Sequence, residues 1–570
     1  MNFQDSPSTS SNTQKSMKTN ILSDSELLDI LENGTFSSDE DFGIDSNDDD
    51  DVLDTGNLSD ENEIDNEDNN SCSIDNNLLS CNENQYDWFT ESPTVENIVF
   101  IGTPGLKYIP EGDQPIDYFN FLFTDELLDL LVEETNAYAV DILLSTTSNN
   151  ARISTWFDTN KSEMKLFFSL LFHMGTIKLA RIEDYWKTNM LFNIPFFREH
   201  MSRNRFMLLL RALHFSCNPK EGELAPRNRL YKIQPILNYF NSKMKEIYEP
   251  SKNLSIDESM VLWRGRLIFR QYIQNKRHKY GVKMYMLTEP WGLIHRVMVY
   301  SGQGHDVSED LSHTEFVVDN LMNGLLYTGR SLFMDNFYNS VKLSRNLLIK
   351  KTYVTGTLRQ NRKNNPIDVI RQKLKRGESI CRYTSDGICV VKWKDKRDIL
   401  MISTEFPHEM IEIYTKKEVK KKPISVKNYN ENMSGIDRQD QMSSYYPFER
   451  KTLRWYKKIG LHFMHLLLIN SYYLYNKHVK KMKLYDYRLA VIQGLLPDSQ
   501  NIPVNSKKRY SETHLPLKVQ KNSKKRYMYK RCKYCYSKGI RKDTIYFCAE
   551  CQDQPGLCLE GCFKDFHKQT

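Results

Sequence analysis

Residues 253–345 abandon the helical periodicity that precedes them. IDESMVL, RLIFRQYI, GVKMYMLT and IHRVMVYS are short runs of β-forming residues separated by turn residues. HTEFVVDNLMNGLL then has helical spacing, and RSLFMDNFYNSVKLSRNLL reads as a strand running into a helix, with Asp335 at the junction. Asp257 and Glu258 follow the first apolar segment. Between Ser259 and Thr288 come seven Lys/Arg and no Asp or Glu. A carboxylate at the mouth of a positive surface points to metal-assisted chemistry on a polyanion. A strand end with a solvated polar tip gives the same local pattern, so partner carboxylates and a nucleic-acid surface must be found elsewhere.

Strands, a helix, then a strand ending in Asp is the order of an RNase H-like sheet, in which carboxylates at adjacent strand ends share metal ions. The chain has 570 residues, too many for one core. The expected class is multidomain α/β. The net charge of +5 conceals an asymmetry. Residues 1–90 hold 23 Asp/Glu and 2 Lys/Arg, a net of −21, which leaves +26 on the rest. A basic body with an acidic tail points to a nucleic-acid partner, with the tail competing for the same surface.

MNFQDSPSTSSNTQKS lacks the apolar core of a secretory signal. The most apolar stretch, Leu461–Tyr475, contains His462, His465 and Asn470, so no membrane span is expected and the protein reads as soluble and intracellular.

The runs DSNDDDDVLD and DENEIDNEDNN cannot offset their ordering entropy by burial, so the acidic N-terminus is expected to be disordered. PIDYFNFLFTDELLDLLVEETNAYA, EMKLFFSLLFHMGTI and RNRFMLLLRALHF read as helices whose aromatic and Leu stripes form core; Arg203, Arg205 and Arg211 suit either DNA or a solvated face. Residues 346–430 are mixed and basic, with strands at ICVVKWKD and DILMIST and a lysine cluster at 416–423, and read as an insertion beside the main sheet. Helix returns in NMSGIDRQDQM and LRWYKKIGLHFMHLLLINSYYLYNKH. Asp437 and Asp440, three apart, share a helix face. KKR at 507–509 and 524–526 reads as a nuclear import signal, a phosphate-binding patch or a plain solvated linker.

Six of the 11 cysteines fall in the last 39 residues. Cys532 and Cys535, Cys548 and Cys551, then Cys558, Cys562 and His567 make seven ligands, and His514 is a candidate eighth. Two CxxC pairs at this spacing point to structural zinc; eight ligands make two closed sites, expected as a cross-brace, with the sharing of ligands left open. So short a segment needs metal to fold.

Asp257 in SIDES, the following WRGR and GVK, Asp335 in FMDNF, and MSGIDRQDQ before RWYKK resemble the pattern of piggyBac transposases and their domesticated relatives. TNAYA, ALHF, GTLRQNRK and the C-terminal Cys/His pattern extend the resemblance over roughly residues 100–570. Arg277 stands where many relatives have proline.

The resemblance implies cut-and-paste DNA transposition, usually at TTAA targets, by a nuclear homodimer acting on double-stranded DNA. It implies Asp257, Asp335 and Asp437 as a catalytic triad, with Asp440 a further acid of the motif. Two Mg2+ about 4 Å apart would sit between them, with Asp257 bridging both and Asp335 and Asp437 each holding one. Without it, Asp335 suits a helix N-cap, and Asp437 and Asp440 suit first-turn capping. The candidate DNA contacts are Arg264, Arg266, Lys276, Arg277, Lys279, Arg359, Arg362, Lys363 and Trp455.

The implied organisation is an acidic tail (1–95), a helical DNA-binding and dimerisation domain (96–252), an RNase H-like catalytic core (253–345) and an insertion domain (346–430). The core and helical domain end over 431–500, followed by a basic linker (501–531) and a zinc domain (532–570) with two Zn2+. A catalytically silent DNA- or chromatin-binding derivative is the rival reading, and a chromatin protein is a possible partner of the zinc domain.

Overall fold

The computed structural model describes residues 86–146, 151–219, 223–224, 226–273, 278–302, 312–414, 419–450, 452–497, 516–519, 528–549, 551–558 and 562–569. The acidic tail as far as residue 85, Lys276, Arg277, His514 and most of the basic linker lie outside these residues. Contacts gather the chain into two compact units, divided between Leu496 and Pro497.

The first unit opens with helices α1 (Pro115–Leu122), α2 (Asp125–Ser145), α3 (Lys161–Thr176), α4 (Arg203–Ala212) and α5 (Gln234–Ile247). Their starts are chemically marked. Pro115 occupies the first turn of α1, where its missing N–H costs nothing. Asn160 and Ser202 cap α3 and α4 by accepting from the amides of Glu163 and Arg205.

A nine-stranded sheet follows, built from β1 (Asn253–Leu262), β2 (Gln271–Tyr272), β3 (Tyr280–Thr288), β4 (Ile294–Val299), β5 (Ser331–Met334), β6 (Tyr353–Thr357), β7 (Ser379–Tyr383), β8 (Cys389–Lys394) and β9 (Asp398–Ser403). Its order is β2-β3-β1-β5-β6-β9-β8-β7, with β4 also paired to β3. β5 runs parallel to both β1 and β6, and the other pairs are antiparallel. Helices α6 (His313–Met322) and α7 (Val341–Ile349) flank β5 in sequence.

Two expectations meet a different outcome here. RLIFRQYI supplies only the two residues of β2, because Arg270 turns back to donate to the carbonyls of Arg264 and Gly265 and closes the basic segment into a loop. Residues 346–430 place β6, β7, β8 and β9 in the same sheet as β1. β10 (Met410–Tyr414) and β11 (Val419–Pro423) form a separate two-stranded ribbon.

The unit closes with α8 (Ile424–Asn432), α9 (Gly435–Tyr445), α10 (Trp455–His478) and α11 (Leu484–Gly494). Every residue of α10 from 459 to 472 is buried. A helix apolar on all sides is one surrounded by protein, and α10 packs against α1, α5, α9 and α11. Asn470 is satisfied there: its amide donates to the Ile294 carbonyl (2.8 Å) and accepts from the Ile294 N–H (3.2 Å). Among the described residues no helix is long and apolar enough to cross a membrane.

Of the three arginines on α4, Arg203 and Arg211 are exposed and Arg205 is buried. Its guanidinium makes two bonds to Glu163 (2.8 and 2.6 Å) and lies against the rings of Trp156 and Phe157. It therefore joins α4 to α3. Removing one partner strands the other charge, so Arg205→Met is expected to destabilise the first unit by about 3 kcal/mol. The double variant with Glu163→Gln should recover part of that loss in urea denaturation.

Candidate active site and metal centres

The centre of interest lies where β1 and β5 run side by side. Their pairs are Asn253 with Ser331, Leu254 with Leu332, Ser255 with Phe333 and Ile256 with Met334. Asp257 and Asp335 are the next residue on each strand, so their backbones are neighbours about 5 Å apart. Alternation puts Ser255, Asp257 and Ser259 on one face of β1.

Helix α9 crosses that face. Gly435 allows the approach: a Cβ there would collide with Thr288 Oγ1 and with the Glu289 carbonyl oxygen. One turn further on, Asp440 accepts from Ser259 Oγ (2.6 Å). The helix is thus fixed along β1 from Ser255 to Ser259, and Asp437 lies between those two anchor points. Asp437 is exposed, whereas Asp257, Asp335 and Asp440 are half-buried. Asp257 Oδ1 accepts from the Glu258 amide and Asp335 Oδ1 from the Phe337 amide (2.8 and 2.9 Å). The helix N-cap that Asp335 suited falls instead to Ser340, which accepts from the Leu343 amide at the start of α7, so Asp335 shapes only the turn before it.

Glu258 points to the opposite face and has partners of its own. Tyr338 donates to it (2.7 Å), and Lys283 lies 3.5 Å away. Burial first, then the charges of Glu258, Asp257 and Asp335, push the Tyr338 phenol well above its ordinary value. It therefore remains a neutral donor tying β1 to the turn after Asp335. Sequence reasoning missed this group, although the signal was present: adjacent strand residues face opposite ways, so Glu258 needed a partner on the far face. Asn339 completes the support by donating to the carbonyls of Met334 and Thr357 (both 2.9 Å).

The predicted cations divide. Arg264, Arg266, Lys279 and Lys363 are exposed. Arg359 bonds Asn336 (3.3 Å), and Arg362 bonds the Phe337 carbonyl, which puts both beside the Asp335 turn. Burial lowers the Arg362 pKa and the Asp335 charge opposes that shift. Trp455 is 7% exposed and stands edge-on to Phe269 (5.2 Å), where it packs beneath the basic loop instead of presenting a stacking face.

The second unit contains two clusters in which all ligand atoms lie within 4.8 Å: Cys532, Cys535, Cys558 and Cys562, and Cys548, Cys551 and His567. The first and third Cys pairs share one cluster, while the second pair joins His567, so the ligand sets interleave along the chain. Cys535 Sγ is 3.4 Å from Cys562 Sγ and 4.0 Å from Cys558 Sγ. Tetrahedral zinc with Zn–S near 2.3 Å requires about 3.8 Å between sulfurs. The Cys532 sulfur accepts from the amides of Cys535 and Cys558 (both 3.4 Å), which favours a thiolate. His567 Nδ1 bonds the Phe563 carbonyl (2.6 Å) and turns Nε2 toward Cys551 Sγ (3.3 Å). These residues suit zinc.

The profile of the family described as Transposase IS4 matches residues 114–472, and that of a DDE_Tnp_1-like zinc finger matches 509–568. The chain belongs to the piggyBac transposase family. It is 24% identical over 465 residues to human PiggyBac transposable element-derived protein 3, covering 77% of this chain and 74% of that one. It is 25% identical over 380 residues to human PiggyBac transposable element-derived protein 2, covering 63% and 61%. Among solved structures it resembles a piggyBac transposase synaptic complex with hairpin DNA, with a TM-score of 0.59 and 25% identity, covering 81% of this chain and 98% of that one. The chain's mixed α/β architecture with its central mixed sheet is similar to that of the solved piggyBac transposase, and its C-terminus carries a cysteine-rich cluster.

The buried core of the second unit is largely sulfur, with Tyr534 and Leu557. Chelation is therefore expected to unfold it. Residues 528–569 should lose hydrogen-exchange protection in EDTA while α10 keeps its own; unchanged protection in both would contradict a metal-held unit.

Proposed function

We propose that the chain is a DNA transposase that cuts and rejoins phosphodiester strands at a divalent-metal centre formed by Asp257, Asp335 and Asp437. The observation that carries this reading is the β1–β5 register, which aligns two carboxylates at adjacent strand ends beneath the helix bearing the third. Three carboxylates offer hard oxygen ligands, which suit Mg2+. Bound there, Mg2+ would activate the attacking oxygen and stabilise the leaving one. Asp257 and Asp335 hold their positions through neighbouring amides, and Tyr338 and Glu258 brace the strands from behind. Asp440 keeps α9 in place through Ser259. Arg359 and Arg362 stand where a phosphate beside Asp335 would meet them, while Arg264, Arg266, Lys276, Arg277, Lys279 and Lys363 supply further phosphate contacts.

The synaptic complex named above supports DNA as the substrate. On this reading the β-sheet core is RNase H-like, and the strands of residues 346–430 extend it. The helices of 96–252 and 431–500 bind DNA and form a homodimer, and the protein acts in the nucleus at TTAA targets. Two Zn2+ hold the C-terminal unit, which binds transposon-end DNA or a chromatin partner. His514, which lies outside the described residues, is the proposed fourth ligand of the second site.

The test uses the purified chain, Mg2+ and duplex DNA carrying repeats from beside its own gene. Asp257→Asn should lower strand cleavage by at least about three orders of magnitude, the scale of losing one member of a group acting as a unit, with DNA binding retained. Cleavage surviving that change removes Asp257 from the mechanism. Tight binding by the unaltered chain without cleavage would favour a catalytically silent DNA-binding derivative, a reading supported by relatives named as element-derived proteins.

A further inference from the structure

The β10–β11 ribbon has a surface that the centre does not use. It pairs Met410 with Pro423 through Tyr414 with Val419 in five antiparallel pairs. Of those ten residues Pro423 alone is buried, so the ribbon projects from the body. An isolated two-stranded hairpin is marginal in water. This one carries an exposed apolar pair at its far end, with Tyr414 78% and Val419 54% exposed.

β11 also presents Lys420, Lys421 and Lys422 in succession. Alternation sends Lys420 and Lys422 to one face and Lys421 to the other, so cations line both sides of a free strand edge. Glu412 accompanies Lys421 at 3.5 Å and leaves the edge net positive. Lysines on an edge strand also discourage sheet-to-sheet association, but that role has no use for an exposed tyrosine and valine beside them.

Pro423 leads directly into α8, and Asn432 at the end of α8 accepts from Asn253 at the start of β1 (3.1 Å). Nine helical residues span about 13 Å. Asp257 lies four residues further along β1, about 13 Å, so the ribbon base stands within about one helical turn of DNA, about 34 Å, of the Asp257–Asp335 centre.

We propose that the β10–β11 ribbon is a docking element for duplex DNA, with Lys420, Lys421 and Lys422 on backbone phosphates and Tyr414 packed against the sugars. Cations spread over both faces suit sequence-independent backbone contact instead of base readout. The assignment rests on the reading of the chain as a DNA-cutting enzyme.

The test measures affinity of the full chain for a labelled duplex between about 50 and 200 mM salt. It compares the unaltered chain with the triple variant Lys420→Ala, Lys421→Ala, Lys422→Ala and, separately, Tyr414→Ser. Each lysine that meets a phosphate should lower the slope of log affinity against log salt by about 0.9. The triple variant should bind at least tenfold more weakly at the lower salt, with its melting temperature unchanged, and Tyr414→Ser should weaken binding with the slope kept. An unchanged slope and affinity in the triple variant overturns the proposal while leaving the proposed activity intact. Tighter binding by the triple variant would mean that the ribbon holds the acidic tail, and this also overturns it. Failure of the unaltered chain to bind or cut DNA removes both readings.

Discussion

Four consecutive pairs join β1 to β5 in parallel, and both ends of that pairing are clamped by buried side chains. At the start, Arg330 is fully buried and bonds Glu249, the Pro250 carbonyl and Thr328, which fixes β5 against the chain entering β1. At the end, buried Tyr338, in the turn after β5, donates to Glu258 of β1, and Asn339 ties the last carbonyl of β5 to one of β6. Without those clamps a slip of one residue would turn every side chain of β5 to the other face and separate Asp335 from Asp257.

From that register the two faces of β1 acquire different work. Asp257 faces α9 and the half-buried acids. Glu258 faces inward, where Lys283 and Tyr338 satisfy it. A buried carboxylate without partners is costly, and Tyr338 and Lys283 supply partners to Glu258, whereas Asp257 on the other face is only half-buried. The second unit solves the stability problem differently: it has little apolar surface to bury, and its cohesion is concentrated in a few sulfur and nitrogen ligands.

Much of this was legible in the sequence. The strands, the apolar helices and the zinc ligands follow from period, turn residues and spacing. Asp257, Asp335 and Asp437 were singled out by the order of motifs, whereas the placing of Asp257 and Asp335 at adjacent strand ends depends on the register, which no local pattern encodes. The sharing of ligands between zinc clusters also depends on how the chain folds back. Arg205 was ambiguous because a helical position facing a neighbouring helix and one facing solvent look alike when the residue is charged. RLIFRQYI carries strand-forming residues, yet Arg270 satisfied loop carbonyls instead of leaving them to a ladder. The apolar length of Leu461–Tyr475 reflects enclosure by protein.

That enclosed helix bears on how the molecule is made. α10 lies more than 200 residues after α5, yet it forms the wall against which α1 and α5 bury their apolar faces. During synthesis from the N-terminus, those early helices emerge long before their partner. Until residue 478 has left the ribosome, the parts of their apolar faces that α10 covers stay open, although α1 already meets α3 through Phe119 and Phe172 and α5 meets β4. Such open surface invites aggregation and chaperone binding. Truncations ending before α10 would remain in that state permanently. The first unit therefore matures late and as a whole, although much of its chain appears early.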